Sequence, residues 1–176
     1  MPTDLPPDDS DLWTTPTPLP GRTIEGEGLL ITCLPPTGAT LISGDLDAAI
    51  AALAPGAPLL GLLAPRPVAP FALRIARDRA LLITPDVLDA APGWHERYAL
   101  SPADDLYLCL AIEGARSAQL LSACLSASGG SPSAAVPFGG HACLVLARET
   151  GADVWVPRPE AAALWLRLSR LIAAGS

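Results

Sequence analysis

Leu106-Tyr-Leu-Cys-Leu-Ala-Ile112-Glu-Gly114-Ala-Arg-Ser-Ala-Gln-Leu-Leu121-Ser-Ala-Cys-Leu125 holds the change of period that decides the fold class. Leu106 to Ile112 alternates and is dense in strand formers, so it predicts a β-strand. After Gly114 the period lengthens, and Ala118, Leu120, Leu121 and Leu125 fall on one face of a helix over 115–125. Downstream, Gly129 to Pro132 is a loop, Ala142 to Ala147 a buried strand, and Val154 to Val156 a short strand after the Glu149-Thr150-Gly151 turn. Pro159 and Glu160 open a last helix, since proline is tolerated in a first turn and glutamate suits the positive end of the dipole. Ala163, Leu164, Leu168 and Leu171 are its expected packing face.

Upstream, Leu29 to Leu34 and Ala39 to Ser43 are short apolar runs separated by Pro35, Pro36 and Gly38, which reads as two strands joined by a tight turn. Asp45 is placed to cap a helix with Leu46, Ala49, Ile50 and Leu53 at helical spacing, ended by Pro55 and Gly56. Phe71 to Ala76 and Ala80 to Thr84 flank Arg77-Asp78-Arg79 as a tight hairpin. Strand pairs followed by helices predict an α+β fold with a mostly antiparallel sheet, in two similar β-β-α-type halves. Residues 28–176 form a single domain on this reading, and 1–27 an extended arm.

That arm carries six carboxylates against Arg22 and prolines at 2, 6, 7, 16, 18 and 20, a composition that fixes backbone angles without supplying a buried face. Trp13 interrupts it and pins the arm either to its own domain or to a partner. The whole chain of 176 residues has 11 basic and 18 acidic side chains, net charge −7, which argues against nucleic acid or an anionic membrane surface as partner. Half of the residues are hydrophobic and 16% charged, enough apolar surface to offset chain entropy. The opening Pro2, Asp4, Pro6, Pro7, Asp8 and Asp9 lacks the basic start and apolar run of a secretory signal, so a cytoplasmic location is expected. Prolines 55, 58, 65 and 67 with Arg66 interrupt the most apolar stretch before a membrane span accumulates.

No spacing makes a self-evident active site. With only His95 and His141 there is no G-x-S-x-G or paired cysteine and base, and His95 reads as solvated in a polar turn. Cys33, Cys109, Cys124 and Cys143 lie in apolar runs without CxxC spacing and read as buried reduced thiols. His141 and Cys143 share a strand face but lack a third ligand, so no metal is expected. Asp104 and Asp105 read as turn residues rather than a general acid and base. The glycine pairs 129–130 and 139–140 lack phosphate-loop spacing. No catalytic, cofactor-binding or metal residue is assigned. Trp13, Trp155, Arg158 and Trp165 are the candidate interface residues, aromatic and guanidinium groups being enriched at hot spots, although core packing competes for the tryptophans.

Three ordered segments carry a resemblance. They are Ala80-Leu-Leu-Ile-Thr-Pro-Asp86, the Leu106 to Leu121 strand and helix, and Val136-Pro-Phe-Gly-Gly140 leading to Val154-Trp-Val-Pro-Arg-Pro159 and Ala163-Leu-Trp-Leu166. In that order they resemble the gamma subunit of heterotetrameric sarcosine oxidase, a relative of the folate-binding domain of the glycine-cleavage T-protein. The chain departs from the family at Val87-Leu88, where a tryptophan is usual, and at Ser101-Pro-Ala-Asp-Asp105. The resemblance implies a folate-binding-domain-like fold in a non-catalytic accessory subunit. Its partner would be a larger oxidase subunit that carries flavin and tetrahydrofolate and demethylates sarcosine or a related N-methyl amino acid. Two alternatives stay open: a stand-alone folate-binding one-carbon (aminomethyl) transferase-like protein with Asp104 or Asp105 facing the pterin, or an orphan homodimeric paralogue without catalysis.

Overall fold

A computed structural model describes residues 17–127 and 129–174. Among these described residues, twelve strands and three helices follow in the order β1 (Thr23–Gly26), β2 (Leu29–Cys33), β3 (Gly38–Gly44), α1 (Leu46–Leu53), β4 (Leu59–Leu60), β5 (Phe71–Ala76), β6 (Arg79–Thr84) and β7 (Gly93–His95). Then come β8 (Tyr98–Pro102), β9 (Tyr107–Glu113), α2 (Ser117–Cys124), β10 (Ala135–Phe138), β11 (His141–Arg148), β12 (Gly151–Pro157) and α3 (Arg158–Ala174). The strands form two six-stranded sheets, ordered β1-β2-β9-β12-β11-β10 and β4-β5-β6-β3-β8-β7. Every named pair is antiparallel except β4 with β5. This is the α+β class expected of the sequence, with the second sheet inserted whole between β2 and β9 of the first.

Period-two alternation distributes the core into layers. On β9, Leu108, Leu110 and Ile112 point to one face of the first sheet and join Leu120 and Cys124 of α2 and Leu164 and Leu168 of α3. Tyr107 and Cys109 point the other way, into a layer shared with Phe71, Leu73, Leu81 and Ile83 of the second sheet. The outer face of that sheet packs Ile42, Ala72, Ala80 and Leu82 under α1. The order is therefore helices, sheet, sheet, helix.

Local signals set several boundaries. The Asp45 carboxylate accepts from the Ala48 amide at 3.0 Å and starts α1, while the Ala54 amide donates to the Ile50 carbonyl just before Pro55. The β5–β6 hairpin forms around Arg77 and Asp78, with a register shift between Arg74 and Ala76.

Other expectations need correction. β2 and β3 do not pair: β2 joins β1 and β9, and β3 joins β6 and β8, so Pro35 and Pro36 carry the chain from one sheet to the other. Thr23–Gly26, read as arm, is strand β1. Residues 1–16 of the arm lie outside the described residues. On α3 the buried face is Ala161, Leu164, Leu168 and Ile172, and Leu171 is 38% exposed. No helix among the described residues is long and apolar enough to cross a membrane.

Candidate functional site

The three candidate interface residues that the structure describes, Trp155, Arg158 and Trp165, do not make one patch. Trp13 lies outside the described residues. Trp155 is 4% exposed, in the layer between the sheets, with its ring 6.1 Å from Phe71 at 74°. Trp165 packs partly buried on the opposite face of the first sheet, so the sheet itself separates the two indoles. Arg158 is exposed at the start of α3, where its backbone amide donates to Leu106 O at 2.8 Å and its Nε to Asp105 O at 2.6 Å.

The groups weighed for chemistry are engaged elsewhere. Asp104 accepts from the Ala39 amide at 2.8 Å and so ties the turn before β9 to β3. His95 Nε2 is 2.8 Å from Ala91 O, and its ring stacks on Tyr98 at 5.5 Å. His141 Nδ1 is 3.0 Å from the Glu160 carboxylate, a pairing of β11 with the first turn of α3. All four cysteines are free. Burial, joined by the nearby Glu160 charge, pushes the Cys143 thiol up to about 12, and burial raises Cys33, Cys109 and Cys124 as well. A thiol held protonated is a poor nucleophile and a poor metal ligand. Among the described residues no three His, Cys, Asp or Glu side chains gather as a metal set.

The densest charge cluster was not anticipated. Asp153 sits in β12 with its side chain fully buried, facing the layer between the sheets beside Trp155. Arg66 Nη1 donates to one of its oxygens, and Arg148 Nη1 donates to the other at 3.0 Å. Arg148 also reaches Glu113 at 3.5 Å, and Arg66 lies over the Trp155 ring at 5.9 Å. Residues 62–66 are positioned for this by the edge of β11 that β10 leaves uncovered. Leu63 N donates to Val145 O at 3.1 Å, Arg66 N to Ala147 O at 2.9 Å and Ala147 N to Ala64 O at 3.0 Å. The connection between β4 and β5 thus leaves the second sheet, pairs with the first and returns, latched by Arg66 on Asp153. The sequence does carry a signal: a carboxylate inside the apolar run Ala152 to Val156 needs a buried partner. Its partners, 5 and 87 positions away, are not readable from spacing.

An open groove of about 550 Å³, lined by Arg66, Val68, Glu113, Arg148 and Thr150, runs beside this cluster. Both guanidiniums at its floor are committed to Asp153, so the cluster holds the loop rather than a substrate. Burial pushes the Asp153 carboxyl above the ordinary 3.8, and the two guanidiniums pull it back part of the way. The native state therefore binds this proton more tightly than the unfolded chain. The resulting stabilisation is fully present below pH 3.8 and is lost as pH rises through the raised value. An Asp153→Asn chain is expected to lack that loss, so its stability relative to the parent should rise with pH across this window in urea melts. A difference that falls with pH would show that the ion pairs, not burial, dominate.

No family model matches the chain, and no curated protein matches it. Among solved structures, the fold is similar to a chain of the heterotetrameric sarcosine oxidase from Corynebacterium sp. U-96, in complex with pyrrole 2-carboxylate. The TM-score is 0.63 at 17% sequence identity, over 84% of this chain and 86% of that one, a likeness of fold across nearly the whole of both.

Proposed function

We propose that this chain is a non-catalytic accessory subunit of a heteromeric oxidase, in the place of the gamma subunit, and that the complex demethylates sarcosine or a related N-methyl amino acid. The observation that carries this reading is the reciprocal coverage: a match over 84% of one chain and 86% of the other means chains of similar length. The likeness is thus to a small subunit as a whole rather than to a domain within a large one.

The state of the polar groups supports an accessory role. The thiols are held protonated, Asp153 is sealed between two arginines, and Asp104 is spent on the Ala39 amide. Flavin and tetrahydrofolate are assigned to the larger partner. A folate site of this chain's own, with Asp104 or Asp105 on the pterin, would need an enclosed space of about 300 Å³ or more. The enclosed cleft beside Asp104, Tyr107 and Trp155 offers about 30 Å³, room for one or two waters, and the groove of about 430 Å³ that Asp104 and Asp105 line with Arg158 is open to solvent rather than enclosed. Arg158 and Trp165 remain the candidate contacts with the partner, and four free cysteines suit a reducing cytoplasm.

The test is purification of the tagged full chain from its own organism at low salt, with mass spectrometry of its companions and an absorbance scan. Larger oxidase subunits in a yellow, flavin-containing complex are the expected result. A colourless chain recovered alone or as a homodimer overturns the reading.

A further inference from the structure

The outward face of α3 combines apolar and basic side chains with no described cover. Ala163, Leu166, Arg167 and Arg170 fall on one side of the helix, away from the buried row of Ala161, Leu164, Leu168 and Ile172, and Leu171 stands on the flank between the two. With His141 they line an open groove of about 530 Å³, in which Leu166 is 37% and Leu171 38% exposed. Among the described residues, neither Arg167 nor Arg170 has a carboxylate within ion-pairing distance. In a chain of net charge −7, this is a basic, apolar strip on an acidic protein.

The complementary chemistry is in the same chain. Residues 1–16 contain Asp4, Asp8, Asp9 and Asp11 with Leu5, Leu12 and Trp13, and no basic side chain. Their attachment lies on the α3 side of the first sheet. Gly21 N donates to Cys33 O at 2.8 Å, the Cys33 thiol is 3.8 Å from Pro18 O, and Cys33 shares a core layer with Leu164 and Leu168. Extended chain spans about 3.3 Å per residue, so the stretch from Asp4 to Pro16 reaches about 40 Å. That exceeds the roughly 25 Å length of a 17-residue helix.

We propose that residues 4–13 dock on the outward face of α3, with the aspartates on Arg167 and Arg170 and the Trp13 indole in the groove of Leu166 and Leu171. The acidic segment then serves as a cover for this face. Surface ion pairs supply selectivity and the indole supplies apolar contact, as at other aromatic anchors. The inference stands independently of the accessory-subunit reading, because it concerns the chain alone.

A nitroxide attached at Ser10→Cys in the full chain tests it, the native thiols being buried or half-buried. Line broadening in amide spectra is expected at 163–171 and 141. It should disappear in the Arg167→Glu, Arg170→Glu double variant, and weaken in about 1 M salt, where the screening length is about 3 Å. Both arginines are exposed, so an otherwise unchanged spectrum verifies the fold of that variant. Broadening that stays within 17–22, or that survives the double variant, overturns the proposal. So does broadening of an isotope-labelled, unmodified chain mixed with unlabelled nitroxide chain, which would assign the face to a second copy. A tagged chain that purifies alone yet shows the α3 broadening would defeat the subunit reading and leave this one intact.

Discussion

Replacing Trp155 with alanine is expected to cost about 3–5 kcal/mol, the usual loss for emptying a buried aromatic site. The indole is 4% exposed at the meeting of the two sheets, edge-on to Phe71 and beneath the Arg66 guanidinium. Its neighbours are rigid strands whose backbones are fixed by antiparallel ladders on both sides, so they cannot collapse into the space. The small cleft already present there would be enlarged, and Arg66 would lose the ring it lies over while remaining tied to Asp153. Against the 5–15 kcal/mol typical of a whole domain this is a large fraction, and the melting temperature is expected to drop by roughly 10 °C. Trp155→Phe keeps a ring against Phe71 and should lose less than half as much. Urea unfolding of both variants checks this, and a loss under about 1 kcal/mol for the alanine chain would mean that the sheets do not depend on this contact.

What the sequence disclosed and what it hid divide along a physical line. β9 and α2 were legible because a half-buried strand writes a period of two and an amphipathic helix a period near 3.6, with Gly114 between them. α1 was legible because Asp45 and the Pro55-Gly56 pair punctuate it. Partnership was not legible. The runs of β2 and β3 are adjacent in sequence and look like a hairpin, yet each finds its partners far along the chain, because sheet membership is settled by tertiary packing. β8 was missed because Ser101 and Pro102 dilute its apolar signal, although Tyr98 to Pro102 pairs with β3 along its length. β12 is buried on both faces, so Val154, Trp155 and Val156 gave no alternation to show that the indole faces the other sheet while its neighbours face the helices. The same silence separated Trp155 from Trp165, which a composition argument had grouped. Asp153 was overlooked for another reason: its significance depends on Arg66, delivered by a loop whose path no local rule predicts.

Gly151→Ala is expected to be comparably damaging, at about 4 kcal/mol, for reasons of backbone rather than burial. Gly151 opens β12 with φ at +135°, in a region open essentially to glycine alone, where another residue costs about 1–3 kcal/mol. Space adds a second penalty: a Cβ there would stand 1.9 Å from the Ile112 carbonyl oxygen. That oxygen is main chain, on the strand opposite, where Gly151 registers with Glu113 and Ala152 with Ile112. Relief therefore requires β12 to move away from β9 at the centre of the first sheet, and overpacking of this kind costs about 1–3 kcal/mol more. Gly56 separates the two penalties, since it also has positive φ, +83°, but nothing lies within 4 Å of its added Cβ. Gly56→Ala should lose only the conformational part, about 1–2 kcal/mol. The two variants, compared by urea melts, are expected to differ by about 2 kcal/mol or more. Equal losses would show that the β9–β12 ladder yields freely at its end, and that the close approach of Gly151 to Ile112 does not hold the pairing of these two strands. The same displacement would carry Asp153 away from Arg66, so loosening of the latch at residues 62–66, read as faster amide exchange at Leu63 and Arg66, is expected for Gly151→Ala and not for Gly56→Ala.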